Sequence, residues 1–244
     1  MFYLLDLVYS LMTAQKPIVN RTNSDKLNYN PIFRTLLFNT IIFILFSGCI
    51  NNIKVDIVFS LDESESVNTG VYGELSDTVN AVSDTVGRLN IDVNNGVQVG
   101  VMALHNITSA RKVFGLSDYT SVSAIQSALS SVEYGGLPNT DMSVGLNFGC
   151  FEMFGGPDDR HDAPNYLIYL THGETNTTLV TEAANTCTVA GVNVVVVAIE
   201  TTSDTTILSA AASSPSHFLD TYFFCLAGNL ARLTYNVTNC QWCK

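Results

Sequence analysis

Two apolar periods take turns along residues 53–238, and their order predicts the architecture. Ile53–Leu61 reads IKVDIVFSL, a mostly apolar, β-branched run that predicts a buried strand. Between residues 70 and 90 the apolar positions are Val71, Leu75, Val79, Val82, Val86 and Leu89. Steps of three and four put them on one helix face. Val97–Leu104 alternates and then continues apolar, a second strand, with a short third strand at Arg111–Phe114 paired to it. Ser121–Val132 predicts a short helix and Met142–Phe154 another, entered from a Gly-Gly-Leu-Pro loop. Tyr166–Leu170 is a strand, Leu179–Ala190 a helix stopped by Gly191, and Asn193–Ile199 a strongly apolar strand. Helices at Thr205–Ala212 and Leu226–Val237 complete the series. Strands that are apolar on both faces and alternate with helices predict an α/β fold. Its expected form is a doubly wound, mostly parallel central sheet flanked by helices on both faces, Rossmann-like in its crossovers. Such sheets bind ligands outside the carboxyl ends of their strands.

Composition sharpens this picture. With 47% apolar and 14% charged residues in 244, the chain can bury a sizeable core. The net charge of −11 repels phosphate backbones and argues against nucleic acid as a partner. It suits either an ordinary solvated surface or one that attracts cations.

Residues 1–49 read as an N-terminal extension, with an apolar segment at 36–50, LLFNTIIFILFSGCI. Lys16, Arg21, Lys26 and Arg34 precede it, against Asp25 alone nearby, and small residues close it at Ser47 and Gly48. The pattern resembles a signal peptide, which implies a secreted, extracellular protein. The residues ahead of the run are many for a signal n-region. An uncleaved anchor with the following domain outside, a start site further downstream, and a buried element of the fold are the alternatives. LFSGC also loosely resembles a lipoprotein cleavage box. Any membrane contact is expected only through this segment.

Six cysteines stand at 49, 150, 187, 225, 240 and 243. Only Cys240 and Cys243 form a C-x-x-C, inside a C-terminal stub at 239–244, and no second pair follows, so a zinc site is not indicated. Disulfides are the expected use in a secreted chain. Cys150 and Cys187 fall on two predicted helices and are a candidate pair. Asn106, Asn176 and Asn236 begin Asn-x-Ser/Thr triplets, so the chain is a candidate glycoprotein.

The first strand runs into Asp62-Glu63-Ser64-Glu65-Ser66. One carboxylate and two hydroxyls at alternate positions after a buried strand can converge on a hard cation, which prefers oxygen ligands. Asp62 or Ser66 could equally cap the next helix. DIVFSLDESES resembles the first strand and D-x-S-x-S motif of von Willebrand factor type A domains. VQVGVMALHN, FGLSDYTSVSAIQSALSSV, YGGLPNTDMSVGL and DDRHDAPNYLIYLTHGE continue the likeness in the family's order. The C-terminal tail resembles the end of such domains in nematode secreted proteins, some of which also carry C-type lectin or CUB modules.

The resemblance implies a type A domain over 53–238 with a metal-ion-dependent adhesion site. Asp62, Ser64, Ser66 and Thr140 match its ligands. Its T-D-G triplet is here Thr171-His172-Gly173, so His172 stands where an aspartate is expected. The change removes a negative charge and offers a nitrogen, which Mg²⁺ disfavours and Mn²⁺ or Zn²⁺ tolerates better. Glu63, Glu65 or Glu174 could restore charge nearby.

Three functions follow. The first is an adhesion or recognition module that binds a protein or glycoconjugate partner, through an acidic side chain on Mg²⁺ or Mn²⁺. The second is a matrix scaffold with a metal-free site. The third is a phosphohydrolase using Asp62, disfavoured because no phosphate loop or nucleophile elbow is present; the chain is expected not to be an enzyme. His105, His161 and His217 are expected in surface or loop positions. Asp158–Asp162 is expected to be a solvated turn, with a ligand-contact loop as the alternative.

Overall fold

The computed structural model of the chain describes residues 54–63, 75–106, 108–133, 135, 141–171, 177–199, 205–221 and 230. All of these lie within the unit that spans residues 49–244. The expected N-terminal segment 36–50, the stub 239–244 and nearly all of the predicted helix Leu226–Val237 lie outside them.

In chain order the elements are β1 (Val55–Asp62), α1 (Leu75–Val86), β2 (Val97–Asn106), β3 (Ser109–Phe114) and α2 (Val122–Ser130). There follow α3 (Met142–Phe148), a π-helical turn (Gly149–Met153), β4 (Asn165–Thr171), α4 (Thr177–Val189) and β5 (Val192–Ile199). Last come α5 (Thr206–Ala211), a 3₁₀ turn (Pro215–His217) and β6 (Phe218–Thr221). The strands form one six-stranded sheet in the order β3-β2-β1-β4-β5-β6. Every pairing is parallel except β2 with β3. The fold is the expected doubly wound α/β sheet.

Strand β1 is buried along its whole length because both faces are covered. Its odd-numbered side chains, Val55, Ile57, Phe59 and Leu61, pack with Val79, Val82 and Val86 of α1 and Ile125 and Leu129 of α2. On the opposite face Val58 packs with Leu146 of α3, Leu167 and Tyr169 of β4 and Val180 of α4. Only the first of these faces is wholly apolar; the second carries Asp56, Ser60 and Asp62 beside Val58, all of them buried under the covering helices. β5 follows the same division, with Val195, Val197 and Ile199 on one side and Val194 and Val196 on the other.

Helix α3 approaches the sheet closely through glycine. A Cβ at Gly145 would lie 2.7 Å from the Tyr169 hydroxyl, and one at Gly149 would lie 2.6 Å from Leu167 Cδ2. At its far end α3 is tied to α4 by the Cys150–Cys187 disulfide, with Cα atoms 5.5 Å apart. This is the candidate pair named from the sequence. The helix predicted over Met142–Phe154 changes to π geometry at Gly149, where the glycine lets the backbone press on β4. Gly191 ends α4 with φ of 82°, in the left-handed region open to glycine.

Two features depart from expectation. Strand β6 was not expected from the sequence; it is four residues long and pairs with β5 at the sheet edge. The run Asp158–Asp162 is not simply a solvated turn. The Arg160 guanidinium donates from Nε (2.8 Å) and Nη2 (2.5 Å) to Asp56 Oδ1, and its backbone N–H donates to Asp56 Oδ2 (3.0 Å). It also donates to the carbonyls of Val55 (2.9 Å), Gly96 (2.9 Å) and Val93 (3.2 Å). The Asp56 side chain is fully buried and that of Arg160 is 11% exposed. One arginine thus joins the loop before β4, the amino end of β1 and the turn before β2. Burial raises the Asp56 pKa above the ordinary 3.8, and Arg160 offsets only part of that rise.

His161 is exposed, as expected for a loop residue. His217 is half-buried instead, edge-on to Tyr166 at a ring separation of 5.9 Å, and burial lowers its pKa below 6.5.

Candidate functional site

The sheet order places the reversal of chain direction at β1. From β1 the chain moves to β2 on one side; β4 then joins β1 on the other. The crevice outside the carboxyl ends of β1 and β4 is therefore the topological switch point, where open α/β sheets hold ligands. Asp62 closes β1 at that end, with 6% of its surface exposed. Tyr169 pairs with Ser60 across the ladder. The same register continued for two residues sets Asp62 level with Thr171, the buried last residue of β4.

Asp62 is the expected ligand that falls among the described residues. Ser64, Ser66, Thr140 and His172 lie outside them. In the sequence Ser64 and Ser66 follow Asp62, and His172 follows Thr171 directly. Thr140 precedes Asp141, the N-cap of α3, whose Oδ1 accepts from the Ser143 N–H (2.8 Å) and hydroxyl (2.6 Å). That carboxylate is engaged in starting α3.

The donor set that the sequence names would suit a divalent cation chemically. It offers a buried carboxylate and three hydroxyls, all hard oxygen donors, and one imidazole in place of a carboxylate. The observation on which the fit rests is the buried Asp62 carboxylate at the switch point. Among the described residues there is no group of three or more His, Cys, Asp or Glu side chains placed to hold a metal. A site here would accordingly depend on its hydroxyls.

Glu63 does not supply free charge to this site. Its side chain is fully buried and forms a two-point ion pair with Arg111 of β3, through Nε to Oε2 (3.3 Å) and Nη2 to Oε1. The expectation that Glu63 could replace the charge lost at His172 is corrected, because a carboxylate neutralised by a guanidinium adds little negative potential outside. Nothing local in the sequence links Glu63 to Arg111, which lies 48 residues on. Arg111 also lines a shallow groove of about 470 Å³ with Tyr119, Val132 and Glu133.

The family model for the von Willebrand factor type A domain matches residues 56–229. No curated protein matches the chain. Among solved structures, proximal thread matrix protein 1 from the mussel byssus is 25% identical over 76% of this chain and 46% of its own, with a TM-score of 0.67. A structure of the same mussel protein with a zinc-occupied MIDAS motif is 24% identical, covers 84% of this chain and 52% of its own, and has a TM-score of 0.68. The pilus adhesin SpaC from Lactobacillus rhamnosus GG, in its open conformation, is 17% identical over 76% of this chain and 30% of its own, with a TM-score of 0.60. This chain spans about half the length of the mussel protein it matches.

Proposed function

The chain belongs to the von Willebrand factor type A family, and from that premise we propose that it is an extracellular adhesion or recognition module. It binds a protein or glycoconjugate partner through a divalent cation held by Asp62, Ser64, Ser66 and Thr140, with His172 in the fifth place. The observation that carries this reading is the nearly buried Asp62 carboxylate at the β1/β4 switch point. In the cation-bound state an open coordination position accepts an acidic side chain from the partner. An imidazole at 172 favours a borderline ion, Mn²⁺ or Zn²⁺ over Mg²⁺. The mussel matrix protein is described with zinc at its own motif.

No catalytic role is assigned to Asp62. The buried Cys150–Cys187 disulfide supports export to an oxidising compartment, where the triplets at Asn106, Asn176 and Asn236 would be open to glycosylation. Among the described residues no helix is long and apolar enough to cross a membrane.

The test is isothermal titration of the full chain with Mn²⁺ at neutral pH. Saturable binding by the wild type and none by Asp62→Ala is expected. A wild type that takes up no Mn²⁺, Mg²⁺ or Zn²⁺ would sink the cation-mediated reading. The likeness to a thread matrix protein favours a second reading, a scaffold that packs with other chains independently of metal. Partner binding unchanged by chelator and by Asp62→Ala would select it.

A further inference from the structure

We propose that the Glu63–Arg111 ion pair is a positioning clamp that sets the Asp62 carboxylate for cation binding. The proposal rests on the cation reading above, and its observations are independent of the ligand loops. Asp62 sits between two anchors. Before it, Leu61 is fully buried in the core. After it, Glu63 is held at both ends of the residue. Its backbone N–H donates to the Leu104 carbonyl (3.3 Å), which carries the β1–β2 ladder one residue past the Asp62–Leu104 pairing. Its side chain is gripped by the Arg111 fork.

The pair spans β2. Arg111 is opposite Ala103, and Ala103 is opposite Leu61. The guanidinium therefore reaches across two strand spacings of about 4.8 Å each to meet a residue just beyond the end of β1. Stability alone explains this arrangement poorly. Burying a carboxylate and matching it with arginine typically gains nothing over an apolar pair of the same volume. What the pair does supply is direction. A planar fork accepts a carboxylate in one plane, so the Glu63 backbone has little freedom to rotate and the preceding Asp62 inherits that restriction. The Arg111 side chain is 40% exposed and that of Glu63 is fully buried, so the fixed end of the clamp is the one beside Asp62. The pair is electrically neutral, so it orients the site without competing for the cation. Partners that orient metal ligands without touching the metal act in this way.

The test compares the full-length wild type with Arg111→Met and with Glu63→Gln/Arg111→Met, at a temperature where near-ultraviolet circular dichroism shows all three folded. Three quantities are read: the Mn²⁺ Kd, the hydrogen-exchange rate of the Glu63 amide and the Tm. Arg111→Met is expected to raise the Mn²⁺ Kd about tenfold and to speed Glu63 exchange. The double variant removes the unpaired buried charge. It is expected to regain thermal stability while keeping the weakened Mn²⁺ binding. Full recovery of Mn²⁺ affinity in the double variant would overturn the clamp, because charge burial and not positioning would then account for the loss. So would an Arg111→Met variant with wild-type Mn²⁺ affinity. If the wild type binds none of Mn²⁺, Mg²⁺ and Zn²⁺, the cation reading fails and exchange decides the clamp: an unchanged Glu63 rate in Arg111→Met overturns it.

Discussion

Arg160→Met removes the cation that holds the amino end of the sheet. The Asp56 carboxylate has no exposed surface, and in the variant it loses the guanidinium that donates to Oδ1. The carbonyls of Val55, Gly96 and Val93 lose a donor as well. Breaking a buried pair by removing one partner costs about 3–5 kcal/mol. At roughly 2–4 °C per kcal/mol for a domain of this size, Tm should fall by about 6–20 °C. The pH dependence has a definite sign. Burial already raises the folded-state pKa of Asp56 above 3.8, so its ionisation works against folding. The stability tied to the protonated form is present below the unfolded pKa and lost as pH rises through the folded one. Without Arg160 the folded pKa rises further. The deficit of Arg160→Met relative to wild type should therefore shrink as pH is lowered from neutrality, and Asp56→Asn/Arg160→Met should recover more than half of it. Urea unfolding of the three proteins between neutral and mildly acidic pH measures both effects. A single variant within about 1 kcal/mol of wild type at neutral pH would refute the reasoning. So would a double variant no more stable than the single.

Other consequences of the packing can be read in the same unfolding assay. Replacing both Cys150 and Cys187 by Ala opens a cross-link between residues 37 apart. Loop-closure entropy sets the loss at about 3–4 kcal/mol, and an unchanged urea midpoint would contradict it. Gly145→Ala places a methyl group 2.7 Å from the Tyr169 hydroxyl and 3.0 Å from Leu104 Cδ1, which should cost about 1–3 kcal/mol. A variant as stable as wild type would mean that α3 can move off the sheet freely.

The class of fold was legible in local pattern because strand and helix periods are local properties. Val192–Ile199 is apolar at all but one position and Val55–Asp62 is wholly apolar on one face, and a sheet covered on two sides uses such strands. Of the candidate ligands, Asp62 is the one the structure describes, and it closes the first strand as its place after an apolar run suggested. The cysteine pair at 150 and 187 was named from its two helices and is joined. Residues 64, 66, 140 and 172 are identified by motif alone, and their role is a proposal. Strand β6 was missed because its four residues are too few to show a period, and its pairing with β5 sets its place.

Charge pairing is where local pattern ran out. Arg160 stood in an acidic run that looked solvated, and its partner is 104 residues earlier. Glu63 looked like spare charge beside a metal site, and Arg111, 48 residues later, neutralises it. A carboxylate's surroundings depend on which strands lie side by side, and no periodicity carries that information. Pattern and motif were enough to establish a doubly wound, mostly parallel sheet whose first strand ends at Asp62. The order β3-β2-β1-β4-β5-β6 then determined that Asp62 lies at the switch point, that Arg111 can reach across β2 to the residue beside it, and that Arg160 guards the opposite end about 20 Å away.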